Sequence, residues 1–135
     1  MKKVHFIAIA LILSVSIKAQ SIENDNHSTT GYINSDGTIE DDNHSTKGYI
    51  TSDGTIENDN HSTIGYISSD GTIENENHST VGYVSSDGTV ENSDHSTIGY
   101  ISDGTVEDSN HSTIGHADGV KKEWAAVVFF FFRFN

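Results

Sequence analysis

The sequence predicts an all-β protein assembled from short two-strand repeats, and three observations carry that prediction. A His-Ser-Thr tripeptide begins at His27, His44, His61, His78, His95 and His111, with successive spacings of 17, 17, 17, 17 and 16 residues. An Asp-Gly pair recurs at a fixed place in each unit, as in Asp36-Gly37 and Asp70-Gly71. Between these markers run columns of β-branched residues, and no helical period appears in the repeats. A fixed period of this length means that each unit is one supersecondary module, which buries its apolar face only against its neighbours.

The first 19 residues read as a signal peptide rather than as part of the fold. Lys2 and Lys3 form a positive start, Val4 to Ile17 is largely apolar, and Ile17-Lys18-Ala19 before Gln20 is a cleavage site, though Ile is large for its position. The apolar run is shorter than the roughly 20 residues that a membrane span needs. An exported mature chain beginning at Gln20 is therefore expected, periplasmic or extracellular, with no membrane span.

Within the repeats the unit from His61 to Asn77 serves as the pattern. His-Ser-Thr-Ile-Gly-Tyr-Ile leads to Ser-Ser-Asp-Gly, then to Thr-Ile-Glu and Asn-Glu-Asn. Asp-Gly between β-prone segments signals a hairpin, because Gly accepts the positive φ of a tight turn. Each unit thus reads as strand, turn, strand, turn. The fifth unit is one residue short, and the deletion falls in the turn, at Ser102-Asp103-Gly104, where a loop tolerates it.

Two columns are expected to face the core: Ile33, Ile50, Ile67, Val84 and Ile101, and Ile22, Ile39, Ile56, Ile73, Val90 and Val106. A third, Thr30, Lys47, Ile64, Val81, Ile98 and Ile114, tolerates a lysine and should be more exposed. Glycines follow it at Gly31, Gly48, Gly65, Gly82, Gly99 and Gly115. Mid-strand glycine marks a bulge or a close backbone approach, so these read as packing positions. The chain divides into a β-repeat domain over 20–119 and an apolar segment over 120–135 packed on it. In that segment Ala125 to Phe132 is rich in β-branched and aromatic residues, which predicts a C-terminal strand apolar on both faces.

The mature chain opens with the second half of a unit, Ser21-Ile22-Glu23-Asn24, and the repeats close with the first half of another, Ser112-Thr113-Ile114-Gly115. Joining the halves would complete a ring without sheet edges; an open two-sided β-solenoid is the alternative.

Charge and composition narrow the functions. The net charge is −13, and loss of Lys2, Lys3 and Lys18 with the leader makes it −16, which argues against nucleic acid or anionic membranes as partners. No cysteine is present, so disulfides, thiolate metal sites and a cysteine nucleophile are absent. The repeated histidines invite a metal reading, since imidazole binds Zn, Cu or Ni, yet each stands in a polar turn where side-chain to backbone hydrogen bonds explain it equally well. An EF-hand reading of Ser-Asp-Gly-Thr-Ile-Glu fails: with Gly37 sixth, Tyr32 stands first and Asn43 twelfth, where carboxylates are required. Identical copies of Ser, His and Asp supply no differentiated nucleophile and base, so no catalytic residue, metal ligand or cofactor is assigned.

The leader, the His-Ser-Thr-Ile-Gly-Tyr-Ile-Ser-Ser-Asp-Gly-Thr-Ile-Glu repeats and the closing Trp124 to Phe132 run together resemble the five-fold β-flower family of small exported bacterial proteins, seen mainly in Bacteroidetes. The resemblance spans nearly all the mature chain. It implies a closed, pseudo-five-fold arrangement and no established activity. This chain departs from the pattern in its short fifth unit and in His116, which stands in the column of Tyr32, Tyr49, Tyr66, Tyr83 and Tyr100. The expected function is an exported, non-enzymatic structural or interaction module that meets a protein or glycan partner; the alternative is a metal or small-ligand binder using the histidines.

Overall fold

The structure is a computed structural model that describes residues 19–134; the expected signal peptide, up to Lys18, lies outside the described residues. Twelve antiparallel strands form a closed barrel: β1 (Ala19–Asn24), β2 (Thr29–Asn34), β3 (Thr38–Asp41), β4 (Thr46–Ile50), β5 (Thr55–Asn58), β6 (Thr63–Ile67), β7 (Thr72–Asn75), β8 (Thr80–Val84), β9 (Thr89–Asn92), β10 (Thr97–Ser102), β11 (Thr105–Asp108) and β12 (Thr113–His116). Order around the wall follows order in the chain. The seam lies between the two half-units, where β1 pairs with β12 through Glu23 opposite His116 and Asn24 opposite Gly115. Both sheet edges vanish there, so the open solenoid is not formed.

Twelve strands make six pairs, which corrects the five-module ring expected above. Five modules are contiguous in sequence, and the sixth is a composite of β1 and β12.

The two turns of a module have different chemistry. At the Ser-Asp-Gly end, the Gly37 amide donates to the Asn34 carbonyl at 2.9 Å and Gly37 adopts φ +90°. The Gly37 carbonyl then accepts from the Ile50 amide of the next module at 2.9 Å, so each turn is stitched to its neighbour. In the short fifth unit Asp103 and Gly104 both have positive φ, +48° and +80°, and Ser102 lies opposite Thr105. That is a two-residue turn with positive φ at both central positions, the form whose twist suits a hairpin. The deletion therefore exchanges one competent turn for another.

Along each even-numbered strand the ladder slips by one residue. Ile22 lies opposite Gly31, but Glu23 lies opposite Thr29, which leaves Thr30 as the bulged residue. The same slip leaves Lys47, Ile64, Val81, Ile98 and Ile114 unpaired. The partly exposed column of the sequence is thus a ring of β-bulges, and the glycine after each bulge turns inward. Ile33, Ile50, Val84 and Ile101 with Ile22, Ile39, Ile56, Ile73, Val90 and Val106 are buried as expected, while Ile67 is half-buried.

The tail overturns the expectation of a strand. It forms a short α-helix, α1 (Lys122–Ala126), continued by one π-helical turn over Val127–Phe131. The reason lies in the closed wall: no edge remains for a thirteenth strand, and a segment inside the barrel must satisfy its own backbone groups. The Ala125 amide bonds the Lys121 carbonyl at 3.0 Å, and the Phe132 amide reaches back five residues to Val127 at 2.9 Å. A barrel of about eight strands can be filled by its own side chains, but a twelve-stranded one is wider. Here the tail fills it, with Ala125, Ala126 and Val127 fully buried.

The phenylalanines lock this tail to the wall one module at a time. Phe129 packs where a side chain on Gly115 would stand, Phe130 does so at Gly99, Phe131 at Gly82, Phe132 at Gly65 and Phe134 at Gly48. Consecutive residues thus address consecutive modules. Six modules stand about 60° apart, whereas an α-helix turns about 100° per residue. The wider π turn rotates less per residue and comes closer to the spacing of the wall. Phe132 is extended (φ −126°, ψ 144°), so Phe134 returns to the wall while the intervening Arg133 is exposed. The mid-strand glycines are packing positions, as the sequence indicated. Each is also pressed by backbone: a methyl on Gly65 would come within 2.5 Å of the Glu74 carbonyl oxygen.

Candidate functional site

The outer rim at the Asx-rich end carries the most elaborate repeated chemistry. The residue that starts each turn, Asn24, Asp41, Asn58, Asn75, Asn92 or Asp108, accepts two backbone amides on its side chain. Asp41, for example, takes those of Asn43 at 3.0 Å and Ser45 at 2.9 Å. These hydrogen bonds hold the Asp41 carboxyl below the ordinary value of 3.8, led by the Ser45 amide. The capping role considered for the histidines therefore belongs to the Asx residue three positions earlier.

The histidine takes the left-handed position of the same turn. His27, His44, His61, His78, His95 and His111 all have φ between +59° and +63°, a region in which His is tolerated far better than a β-branched residue. That backbone turns the ring back over the wall. Nδ1 of each then pairs with the glutamate four residues earlier: Glu23 at 3.2 Å, Glu40 at 3.0 Å, Glu57 at 2.9 Å, Glu74 at 3.0 Å, Glu91 at 3.1 Å and Glu107 at 2.9 Å.

Each ring also stacks on an aromatic of the preceding module. His44 lies on Tyr32, His61 on Tyr49, His78 on Tyr66, His95 on Tyr83 and His111 on Tyr100, with centroids 4.2–4.3 Å apart and planes within 15°. At the seam the partner of His27 is His116, at 4.0 Å. The histidine side chains remain 59–69 % exposed. The rim thus displays six parallel Glu–His–aromatic stacks, each anchored at one imidazole nitrogen.

Among the described residues no group of three or more His, Asp or Glu side chains converges on a point that could hold a metal ion. Away from the seam the geometry assembles pairs, one carboxylate to one imidazole, and keeps successive imidazoles on separate modules; at the seam His27, paired with Glu23, stacks on a second imidazole, His116. The pairs are alike around the ring, so none is set apart as a nucleophile, base or oxyanion hole. Among the described residues no helix is long and apolar enough to cross a membrane.

Residues 19–133 match the protein family described as 5-fold beta-flower protein. The chain belongs to that family. No curated protein and no solved structure matches it. In this beta-flower chain the match covers the whole barrel together with the tail that fills it, so wall and core form one family unit.

Sequence reasoning found the columns of this site but not their contacts. Tyr and His stand 12 residues apart in Tyr32 and His44, across two turns, and nothing in that spacing announces a stack. The signal that was present is His116, an aromatic exchange in the tyrosine column at the seam. At the opposite end of the barrel Asp36, Asp53, Asp70 and Asp87 lie below the ordinary carboxylate value. For Asp36, Asp70 and Asp87 the leading cause is the backbone amide of the threonine two residues on, and for Asp53 it is the Thr51 hydroxyl.

Proposed function

We propose that this chain is an exported, non-catalytic interaction module whose rim of Glu–His–Tyr stacks meets a protein or glycan partner. The observation that carries this reading is the fivefold repetition of one stack, an exposed histidine on a half-buried tyrosine, with His27 on His116 completing the ring at the seam. Aromatic side chains held by a rigid scaffold contribute contact area at little conformational cost, and they dominate binding surfaces. Six similar stacks on one ring also suit a repetitive partner, since weak contacts made together gain avidity. The acidic charge adds hydrogen-bond acceptors beside each ring and favours neutral or cationic surfaces over nucleic acid.

The leader-like start of the sequence, Lys2 and Lys3 before the apolar Val4 to Ile17, supports the exported part of this reading, in which the rim meets partners outside the cytoplasm. A mature N-terminus at Gln20, found by mass spectrometry of the secreted chain, supports it; full-length chain held in the membrane fraction contradicts it. Binding is tested by presenting the mature protein to arrayed bacterial surface glycans and envelope proteins, beside a variant with Tyr49, Tyr66 and Tyr83 changed to Ser. A partner retained by the intact rim and lost by the variant supports the proposal. A partner bound equally by both overturns the rim as the binding surface. Calorimetric titration with Zn tests the histidine alternative, and micromolar, stoichiometric binding that disappears with His44, His61 and His78 would favour it instead.

A further inference from the structure

The barrel has six mid-strand glycines facing its lumen and five phenylalanines to cover them. Gly48, Gly65, Gly82, Gly99 and Gly115 each receive one ring, but among the described residues the nearest atoms to Gly31 are the backbone of Glu40 and Asp41. A cavity of about 420 Å³ opens at that position, with Gly31, Phe129 and Phe134 among its walls; its polar side holds Thr30, Glu40, Asp41 with its ion-pair partner Lys47, and Arg133. We infer that this vacant sixth seat is a binding site for a small phenyl-bearing carboxylate.

The ring part of the ligand is specified by the five occupied seats. At each of them a phenyl group occupies the space of the missing side chain, which is also crowded by a neighbouring strand's carbonyl. Gly31 keeps that geometry, for a methyl there would come within 2.5 Å of the Glu40 carbonyl oxygen, the same distance as at Gly48 and Gly65. Apolar cavities of about 150 Å³ lined by aliphatic and aromatic side chains already accept benzene, so this one has room for a ring and a short acid arm.

The acid part is specified by where the repeat departs from itself. In the bulge column Ile64, Val81, Ile98 and Ile114 are apolar and pack against the core cluster. The two polar members, Thr30 and Lys47, are the two that border the vacant seat. Lys47 lies 3.4 Å from Asp41, and Arg133 projects from the extended end of the tail onto the same mouth. A carboxylate entering above the ring meets the guanidinium, whose paired donors suit that group. The site is distinct from the aromatic rim proposed above and does not depend on it.

The test titrates isotope-labelled mature protein with 3-phenylpropionate, benzyl alcohol and propionate, following glycine amides by NMR. The phenyl acid is expected to give saturable shifts at Gly31 and Thr30, while Gly65, Gly82 and Gly99, whose seats are filled, serve as internal controls and stay still. Propionate alone should give no saturable shift. Changing Arg133 to Gln is expected to weaken 3-phenylpropionate about tenfold, as for loss of a charge-assisted pair, with benzyl alcohol unchanged. Absence of saturation at millimolar 3-phenylpropionate, or shifts spread equally over all six glycines, would overturn the site. Equal weakening of both aromatic ligands in the Arg133→Gln protein would overturn the carboxylate contact.

Discussion

The outer and inner faces of the same wall obey different symmetries. Outside, the stacks repeat with little change, and even the seam keeps the pattern through His27 on His116. Inside, the wall offers six like positions to a single tail that lies outside the 17-residue repeat and, among the described residues, covers only five of them with phenylalanines. A repeated sequence can specify a ring, because each module needs only its neighbours. It does not fill the ring, because the lumen holds one tail, whose phenylalanines must reach successive modules from successive positions along a single segment. The non-repeated tail is therefore where individuality enters this protein.

Removal of the tail after Lys121 separates the two faces most sharply. Each fully buried phenylalanine contributes about 1.5–3 kcal/mol. The five here are partly exposed, so the loss is on the order of 5 kcal/mol, comparable with the whole stability of a small domain. The truncated chain is expected to lose its cooperative thermal transition. A truncated barrel melting as sharply as the intact one would mean that the wall needs no filling.

Next in size is a contrast within the inner face. Gly82→Ala drives a methyl into both the Glu91 carbonyl and the Phe131 ring, whereas Gly31→Ala meets the Glu40 carbonyl without a ring. Overpacking of this kind costs about 1–3 kcal/mol, and urea unfolding should show Gly82→Ala the more damaging of the two. Equal losses would show that the rings contribute nothing at the glycine seats.

On the outer face the expected effects are smaller and depend on backbone more than on charge. His78→Val places a β-branched residue at φ +59° and is expected to cost about 1–2 kcal/mol. His78→Asn, which tolerates that backbone, should stay within about 1 kcal/mol of the parent even though it loses the stack on Tyr66. Thermal melts of the two variants decide whether the histidine's first duty is to the turn or to the ring pair.

The smallest effect concerns acid. Asp36, Asp70 and Asp87 have folded-state values below the ordinary 3.8. Their contribution is therefore present at pH above 3.8 and fades as pH falls through the folded values. Stability measured from pH 5 down to pH 2 should decline, and Asp70→Asn should make the decline shallower.

Much of the wall was legible from particular residues. Asp-Gly pairs placed the hairpins, the isoleucine columns placed the buried face, and the half-unit at Ser21 to Asn24 foretold closure onto Ser112 to Gly115. The count of modules was not legible in the same way, since two halves 90 residues apart form a sixth only once they meet. The tail misled for a physical reason. Phe129 to Phe132 have strand propensity, but propensity describes a segment with a partner edge, and closure had used every edge. The rim stacks stayed hidden because they join residues across two turns whose bend is fixed by a left-handed histidine.

Closure has a consequence for the order of events in the life of the molecule. The residues that seal the seam, Glu23 and Asn24 against Gly115 and His116, lie at opposite ends of the repeats, and the filling segment follows them in sequence. During synthesis, hairpins can form as they emerge, but a complete circle and its contents must wait until β12 and the filling segment behind it have left the ribosome. Assembly is thus timed by residues made after eleven of the twelve strands. Until they arrive the wall stays open, its late-arriving centre serving as a built-in delay.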